Sequence, residues 1–250
     1  MKHQKVIQQD LGRMSFREAW DYQESLLREN VTRKAQQAAG ENSPGPAPYL
    51  GTEHYLLWVE HPPVYTLGKN GKMEHVLLGE EELHQRGIDF FRINRGGDIT
   101  FHGPGQIVGY PILDLEKFET DIGKYLRRLE EVVIRTLADY GISAGRSAGE
   151  TGVWIDADIK GRERKICAIG IRCSRWVTMH GFAFNINTDL RYFDHIIPCG
   201  IKDKSVTSLA RELGRDVDME EVKNILVKHF ADVFAVEMVP KKENQKSLAR

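Results

Sequence analysis

Apolar residues recur along the chain at two spacings, one typical of helices and the other of strands. Residues three and four apart follow the capping box of Ser15 and Glu18 and predict a first helix. A second apolar stripe ends at Gly141, a residue suited to the end of a helix, and Asp218 with Glu221 suits the start of another. These signals predict helices over residues 15–33, 119–140, 205–213 and 218–234.

Short runs of β-branched and aromatic residues, separated by glycine and proline, predict strands in two groups. The first group begins at residue 53 and reads EHYLLWVE, VYTL, IDFFRIN, DITF and QIVGYPILDL. The second group follows the 119–140 helix and reads TGVWIDA, KICAIGIRC and VTMHGFAFNIN. Because strands and helices are grouped rather than strictly alternating, the pattern predicts a single α+β domain over residues 1–250 with a mixed, largely antiparallel sheet packed with helices.

Two segments carry no periodic pattern. Residues 34–52, KAQQAAGENSPGPAPYLGT, mix Gly, Pro, Ala and polar residues, which predicts a flexible surface insertion. Residues 241–250, KKENQKSLAR, predict a frayed tail. Neither segment indicates a second domain.

Composition and charge narrow the class of protein. Of 250 residues, 41% are hydrophobic and 28% are charged, which suits a folded globular chain and excludes wholesale disorder. The net charge of −1 gives no overall field that would attract nucleic acid or an anionic membrane. The first residues, MKHQKVIQQDLG, lack the apolar core of a signal peptide, and no apolar run has the length needed to span a bilayer. We therefore expect a cytoplasmic protein with no nucleic-acid partner and no membrane partner.

The three cysteines are Cys167, Cys173 and Cys199, and they form no CxxC pair. This argues against a disulfide framework and fits a reducing compartment. His195 and Cys199 lie four residues apart, but with the other two cysteines they match no compact zinc pattern, so we expect no metal site. No GxSxG is present, which disfavours a serine hydrolase.

The densest group of glycines is RGGDITFHGPGQ, residues 95–106, which lies between two predicted strands. Its four glycines allow the backbone to approach a ligand closely and to adopt positive φ. The same composition fits a tight hairpin corner with a structural histidine at His102, and the residues alone leave both interpretations open. No GK[ST] follows and the later glycines are not spaced as GxGxxG, so the segment does not favour nucleotide binding.

The strand KICAIGIRC is predicted to place Lys165, Cys167 and Cys173 on one face together with Ile169 and Ile171. A lysine at the start of an apolar strand is most simply a solvated end group, and the two cysteines are most simply small core residues. The adjacent KGRERK, residues 160–165, is most simply a solvated basic turn, although it could also bind an acidic partner.

Cys199 differs because it lies in IIPCG, where a proline with fixed φ precedes it and a glycine follows. An unperturbed thiol, with a pKa of about 8.5, is mostly protonated at neutral pH, so the cysteine needs a partner to act as a nucleophile. An ammonium group about 4 Å away would stabilise the thiolate by on the order of 4 kcal/mol at an effective dielectric constant of about 20. Lys165 is a candidate for that ammonium.

Together these segments resemble the lipoyl(octanoyl) transferase family, the octanoyl-carrier-protein:protein N-octanoyltransferases. The matching segments cover most of the chain and are EHPPVYTLG (60–68), RGGDITFHGPGQIVGYPILDL (95–115), GVW (152–154), KICAIGIR (165–172), HGFAFNINTDL (180–190) and PCG (198–200). The resemblance implies a two-layer α/β catalytic domain like that of the biotin and lipoate protein ligases, in which a mixed sheet holds an acyl chain in a tunnel.

The resemblance also implies roles for individual residues. Cys199 matches the family's cysteine that accepts the octanoyl group as a thioester, and Lys165 matches the lysine that opens the KI strand. The family's acyl and carrier pocket corresponds to three segments of this chain. The residues implied as substrate-binding are Arg95, Gly96, Gly97, Asp98, Ile99, Thr100, Phe101, His102, Ala168, Ile169, Gly170, Gly181, Phe182 and Ala183.

The implied reaction moves an octanoyl group from octanoyl-acyl carrier protein, a phosphopantetheine thioester, to a lysine of lipoyl domains. The implied acceptors are the lipoyl domains of 2-oxoacid dehydrogenase E2 subunits and the glycine cleavage H protein. Thioester exchange followed by amide formation needs no ATP, metal or other cofactor. The family also implies a monomer.

Three segments depart from the family pattern and leave the docking of the carrier open. They are the 34–52 insertion, a longer basic loop over 158–164, and RCSRWVTMHG in place of a shorter basic turn. The alternatives are an ATP-dependent lipoate or biotin-type protein ligase, a noncatalytic acyl-carrier-binding module, and a hydrolase that releases free octanoate. PCG and the lack of a GRGRxGR run disfavour the ligase.

Overall fold

The computed structural model describes residues 4–40, 51–197 and 204–241. The α-helices within these residues are α1 (Phe16–Gly40), α2 (Glu80–Gln85), α3 (Ile122–Asp139), α4 (Leu209–Leu213) and α5 (Met219–Phe234). The strands are β1 (Gln4–Arg13), β2 (His54–Glu60), β3 (Val64–Leu67), β4 (Asp89–Arg92), β5 (Ile99–His102), β6 (Gln106–Ile112), β7 (Ala144–Gly145), β8 (Val153–Ile155), β9 (Arg164–Ser174), β10 (Val177–Asn185), β11 (Ser205–Val206) and β12 (Val236–Pro240).

The larger of two sheets has the strand order β12-β1-β2-β6-β10-β9-β8-β7, with β11 paired to the beginning of β9. Strands β2, β6, β10, β9, β8 and β7 are joined in antiparallel fashion. Strand β1 is parallel to both β2 and β12, and β11 is parallel to β9. The predicted mixed, largely antiparallel sheet packed with helices is confirmed.

Helices cover both faces of this sheet. α3 and α5 pack on one face, where Leu129 and Phe230 are fully buried, and α1 packs on the other against β6 and β10. The predicted start of α5 is confirmed, because the Asp218 side chain accepts a hydrogen bond from the Glu220 amide at 2.8 Å. Of the described helices, none has the length and apolar character required to cross a lipid bilayer.

A second, three-stranded sheet has the order β4-β3-β5 and its own small core around Tyr65, Phe101 and Phe193. The chain leaves this small sheet at His102 and enters the large sheet at Gln106. The glycine-rich segment 95–106 therefore lies at the junction of the two sheets.

Helix α1 continues seven residues beyond its predicted end at residue 33, to Gly40. The residues AQQAAG at its end are rich in Ala and Gln, which are good helix formers even without an apolar stripe. Lys34 holds this end of the helix, with Nζ 2.6 Å from Asp114 Oδ1 and 3.0 Å from Glu116 Oε2. The segment predicted as an insertion therefore begins in a helix, while residues 41–50, like residues 242–250 of the predicted tail, lie outside the described residues.

Three other elements differ from the predictions. Strands β1 and β12 pair in parallel at one edge of the large sheet and were not predicted. Val6 is the one buried residue of β1, so this strand lacks a regular alternation of apolar and polar residues. Helix α2 is six residues long and buries Leu83 alone. Residues 205–206 form a strand rather than a helix because Val206 pairs with Lys165, and α4 begins only after Ser208, whose side chain caps it.

Candidate active site

A cavity of about 560 Å³ lies at the junction of the two sheets. This volume is within the range of small-molecule binding sites. Its walls come from the loop that begins at Arg95, the turn at residues 149–151, and strands β5, β6, β9 and β10. Val108, Ile169 and Phe182 supply apolar lining, so the cavity can hold an apolar group.

The loop that begins at Arg95 lies directly against the large sheet because Gly170, the strand residue that faces Gly96, has no side chain. Gly170 in β9 pairs with Gly181 in β10. A Cβ atom on Gly170 would lie 2.7 Å from the carbonyl oxygen of Gly96, which is too close for unstrained packing. The Gly96 amide donates a hydrogen bond to the Ile171 carbonyl at 2.8 Å. Gly170 thus lets a loop backbone contact the sheet at the wall of the cavity, while its partner Gly181 allows a close approach of Gly109 in β6.

A chain of buried hydrogen bonds begins at Arg95, whose guanidinium lines the cavity. Arg95 Nη2 donates to the Thr66 carbonyl at 2.8 Å and to Thr66 Oγ1 at 3.1 Å. The Thr66 hydroxyl in turn faces His102 Nε2 at 3.4 Å. These bonds hold a positive charge at a fixed position beside the cavity, where it can interact with a bound carbonyl or carboxylate.

The same chain of hydrogen bonds sets the tautomer of His102. Gln106 Nε2 donates to Asn185 Oδ1 at 2.9 Å, so Gln106 Oε1 is the acceptor that faces His102 Nδ1, also at 2.9 Å. His102 therefore carries its proton on Nδ1 and presents the lone pair of Nε2 to the Thr66 hydroxyl. The chain ends where Asn185 Nδ2 donates to the Thr207 carbonyl at 3.0 Å.

Three imidazole rings at or beside the cavity are neutral at neutral pH. Burial lowers the pKa of His102 well below its usual value, and the charge of Arg95 acts in the same direction. Burial lowers the pKa of His61 to about 4 and that of His180 to about 3. His61 and His102 therefore act as neutral hydrogen-bonding groups, and Arg95 carries the positive charge on this side of the cavity.

Lys165 lines the cavity from the start of β9, with its Nζ 4.5 Å from the centroid of the Trp154 ring. Lys204 Nζ lies 4.7 Å from the same ring and donates a hydrogen bond to Ser147 Oγ at 2.9 Å. The backbone of Lys165 is fixed because the Thr207 amide donates to its carbonyl at 2.9 Å. One indole ring thus stabilises two ammonium groups, and Lys165 is only 9% exposed.

The predicted alternation along β9 is wrong at Lys165. Strand β8 pairs Val153 with Cys167 but pairs Trp154 with Lys165, so the register shifts by one residue. Directly paired residues share a face of the sheet, whereas successive residues such as Val153 and Trp154 point to opposite faces. Lys165 therefore lies on the face opposite Cys167, because a bulge at Ile166 interrupts the alternation.

Cys167 and Cys173 are poorly suited to act as nucleophiles. Cys167 is fully buried in the core, as predicted, and burial raises the pKa of its thiol. Burial also raises the pKa of the half-buried Cys173. Cys199 lies outside the described residues. Within residues 4–40, 51–197 and 204–241, no cluster of three His, Cys, Asp or Glu side chains could hold a metal ion.

Comparison with known proteins establishes the family. Residues 15–231 match the lipoyl protein ligase A/B catalytic domain. The chain is 56% identical over 238 residues to the octanoyltransferase of Flavobacterium johnsoniae, an alignment that covers 95% of this chain and 100% of that one. The chain belongs to the octanoyltransferase family. It is therefore an acyltransferase, as the sequence motifs indicated.

Other relatives agree with this family assignment. The octanoyltransferase of Cytophaga hutchinsonii is 50% identical over 232 residues, which cover 93% of each chain. A bipartite lipoate protein ligase from Thermoplasma acidophilum has a TM-score of 0.66 at 17% identity, covering 98% of this chain and 89% of that one. A lipoate-protein ligase A bound with ATP has a TM-score of 0.64 at 16% identity, with coverage of 98% and 91%. The octanoyltransferase family member described here thus has the predicted lipoate protein ligase fold.

Most of the residues that the family motifs implied come together at the cavity. The implied residues that line it are Arg95, Gly96, Gly97, Asp98, Ile99, Thr100, His102, Lys165, Ala168, Ile169, Gly170, Gly181, Phe182 and Ala183. The ring of Phe101 instead stacks on Tyr192 in the core of the small sheet, with ring centroids 4.5 Å apart. The role of each of these residues in binding stays a prediction.

Sequence reasoning missed several residues that line the cavity of this octanoyltransferase family member. His180 adopts a positive φ of 59°, and its Nε2 atom has no hydrogen-bond partner within the described part of the chain. Its position in the HGFAFNINTDL motif was a usable signal. Phe16 of α1 and Leu126 of α3 also line the cavity, but they carry the ordinary apolar pattern of a helix and gave no signal.

Proposed function

We propose that this chain transfers an octanoyl group from the phosphopantetheine thioester of an acyl carrier protein to a lysine of a lipoyl domain, by way of a thioester on Cys199. The main supporting observation is that the Lys165 ammonium and apolar side chains such as Ile169 and Phe182 line one cavity. An acyl chain requires an apolar wall, and an anionic sulfur beside it requires a nearby cation that is shielded from water.

Two observations favour Cys199 as the sulfur that carries the acyl group. The thiols of the other two cysteines have raised pKa values, so they are mostly protonated at neutral pH. In the sequence, Cys199 follows Ile197 by two residues and precedes Lys204 by five. The Ile197 amide donates to the His75 carbonyl at 2.9 Å, and Lys204 rests on the same indole ring as Lys165. The described chain therefore resumes, five residues after Cys199, beside the Lys165 ammonium.

In the first step, the Cys199 thiolate attacks the carbonyl carbon of the octanoyl thioester. The new carbon–sulfur bond forms and the bond to the pantetheine sulfur breaks. The departing pantetheine thiolate takes a proton from the Lys165 ammonium. The products are an octanoyl-Cys199 thioester, the free pantetheine thiol and a neutral Lys165 amine.

In the second step, the amine of the acceptor lysine attacks the carbonyl carbon of the octanoyl-Cys199 thioester. The Lys165 amine takes the proton that the attacking nitrogen loses, and Cys199 leaves as a thiolate. The site returns to its starting state, and the acceptor carries an amide, which is more stable than a thioester. The family implies lipoyl domains of 2-oxoacid dehydrogenase E2 subunits and the glycine cleavage H protein as acceptors.

Intact-mass measurement tests the thioester step. Mixing the chain with octanoyl-acyl carrier protein and no acceptor should add one octanoyl group to the wild-type chain and to Cys173→Ser, but none to Cys199→Ser. Addition of a lipoyl domain should then move the group to that domain. The absence of an acyl-enzyme in rapid-quench samples would contradict the proposal.

The same samples separate the alternative functions. Transfer that depends on ATP and free octanoate would indicate a protein ligase, and free octanoate as the sole product would indicate a hydrolase. Binding of the acyl carrier without any turnover would indicate a noncatalytic module.

A further inference from the structure

A second cavity, also of about 560 Å³, adjoins the first. Phe193 and Val206 line both cavities and form their shared boundary. Lys165 lines the first cavity and Lys204 lines the second, while both ammonium groups rest on the ring of Trp154. The two cavities therefore meet beside the pair of lysines.

The second cavity carries an excess of positive charge. Its basic lining residues are Arg191, Lys204 and Arg211, and its acidic lining residue is Asp194. The Arg191 guanidinium is held by both carboxylate oxygens of Asp189, with Nη2 2.6 Å from Oδ2 and Nε 2.9 Å from Oδ1. Lys204 and Arg211 are therefore the cations available to an anionic ligand.

Neither Lys204 nor Arg211 forms an ion pair within the described part of the chain. Lys204 is held by two neutral groups, the Ser147 hydroxyl and the Trp154 ring. Backbone hydrogen bonds lower the pKa of the neighbouring Glu163, and the charge of Lys204 adds to that shift, but the two side chains form no ion pair. The charges of Lys204 and Arg211 are thus not paired with a carboxylate of the described residues.

We propose that the second cavity holds the phosphopantetheine arm of the thioester donor, with Lys204 and Arg211 binding its phosphate. This inference rests on the proposed function. The donor has an apolar acyl chain on one side of its thioester and a polar arm that ends in a phosphate on the other. The first cavity matches the acyl chain and the cationic cavity matches the arm, since Lys and Arg side chains bind phosphate oxygens with charge-assisted hydrogen bonds.

This assignment also places the reacting group. The thioester lies between the acyl chain and the arm, so it must cross the boundary that Phe193 and Val206 share. Val206 pairs with Lys165 in the sheet, which puts the boundary beside the lysine that the proposed reaction uses. Lys204, the second ammonium group on the Trp154 ring, then binds the phosphate of the donor.

Isothermal titration calorimetry tests the assignment without any acyl transfer. Phosphopantetheine and pantetheine, both without an acyl group, are titrated into the full chain. We expect phosphopantetheine to bind about tenfold more tightly, the factor expected for a charge-assisted hydrogen bond. Lys204→Met and Arg211→Met should each lower this preference to about threefold, because one of the two phosphate contacts remains. Arg191→Met is the matched control, because Asp189 already neutralises that guanidinium, and it should retain the preference.

Two results would overturn the assignment. One is equal affinity of the wild-type chain for the two ligands, and the other is an equal loss of preference in Arg191→Met. If Lys204→Met weakens binding of the whole carrier protein but leaves both small-ligand affinities unchanged, the cations contact an acidic surface of the carrier instead, and the assignment is wrong. Thermal melting confirms that each variant is folded. Because the titration needs no acylation of Cys199, failure of the proposed reaction is seen separately, by intact mass.

Discussion

Gln106 holds three buried groups in place, and its replacement by methionine removes all three interactions at once. Gln106→Met preserves the length of the side chain and removes its amide. In the native chain Nε2 donates to the Phe101 carbonyl at 3.1 Å and to Asn185 Oδ1 at 2.9 Å, while Oε1 accepts from His102 Nδ1 at 2.9 Å. Gln106 is 1% exposed, so bulk water does not reach these groups after the substitution.

The expected loss of stability follows from the number of groups left without a partner. Each buried donor or acceptor that loses its partner costs about 1–3 kcal/mol, so three of them cost at least about 3 kcal/mol. The total stability of a domain is about 5–15 kcal/mol, and the variant should therefore still fold. At about 2–4 °C per kcal/mol for a chain of this size, the Tm should fall by at least about 6 °C.

Urea unfolding and thermal melting measure this loss, with Gln23→Met as the matched control. Gln23 is fully buried and its Oε1 accepts a hydrogen bond from the His180 amide at 2.9 Å, so its replacement leaves fewer buried groups without a partner and should cost less. Nitrogen NMR of His102 gives a second readout, since Nδ1 should carry the proton in the native chain and lose that preference in Gln106→Met. Equal costs for the two variants, or a native His102 protonated on Nε2, would refute the reasoning.

Three further predictions concern the lysine, the paired glycines and pH. Lys165→Met should lower octanoyl transfer about 100-fold or more in steady-state assays with little change in Tm, and near-native transfer would exclude its role as acid and base. Gly170→Ala places a Cβ 2.7 Å from a loop carbonyl and should reduce both Tm and transfer, whereas Gly145→Ala, whose Cβ lies 3.6 Å from its nearest neighbour, should change neither. Burial lowers the pKa of His54 and His61 from 6.5 to about 4, so the unfolded chain takes up protons first as pH falls. Each ring should therefore lower the free energy of unfolding by about 2 kcal/mol between about pH 7 and pH 5. A free energy of unfolding in urea that does not change over this pH range would contradict the prediction.

Features that depend on neighbours in the sequence were predictable. The segment 95–106 stood out because its glycines allow a backbone to approach a neighbour closely, and the Gly96 amide does donate to the Ile171 carbonyl of β9 at 2.8 Å. Asp218 marked the start of α5 for a similar reason, since a helix start needs an acceptor for its first amides. Both signals arise from what the backbone needs at one position, so the residue type at that position is enough to reveal them.

Features that depend on distant segments were not predictable. The hydrogen bonds around His102 join Thr66, Gln106 and Asn185, and Gln106 and Asn185 are 79 residues apart. Thr66 lies within a short strand, and Gln106 and Asn185 lie at strand ends, where a polar residue is equally consistent with a solvated position. Only the pairing of β3 with β5 and of β6 with β10 shows that the three side chains meet around His102 in the interior.

The position of Lys165 shows why strand pairing determines the site more than local sequence does. A one-residue bulge reverses the face that a side chain occupies, and Ile166 and Cys167 are both apolar, so the period of the sequence cannot reveal the bulge. Pairing with β8 then places Lys165 on Trp154, and pairing of β9 with β11 brings Lys204 to the same ring. A change in either register would separate the two ammonium groups while leaving every sequence motif intact. The chemistry proposed for this site therefore depends on two strand registers. One is the pairing of β8 with β9, which a bulge shifts by one residue, and the other is the pairing of β9 with β11, which is distant in the sequence.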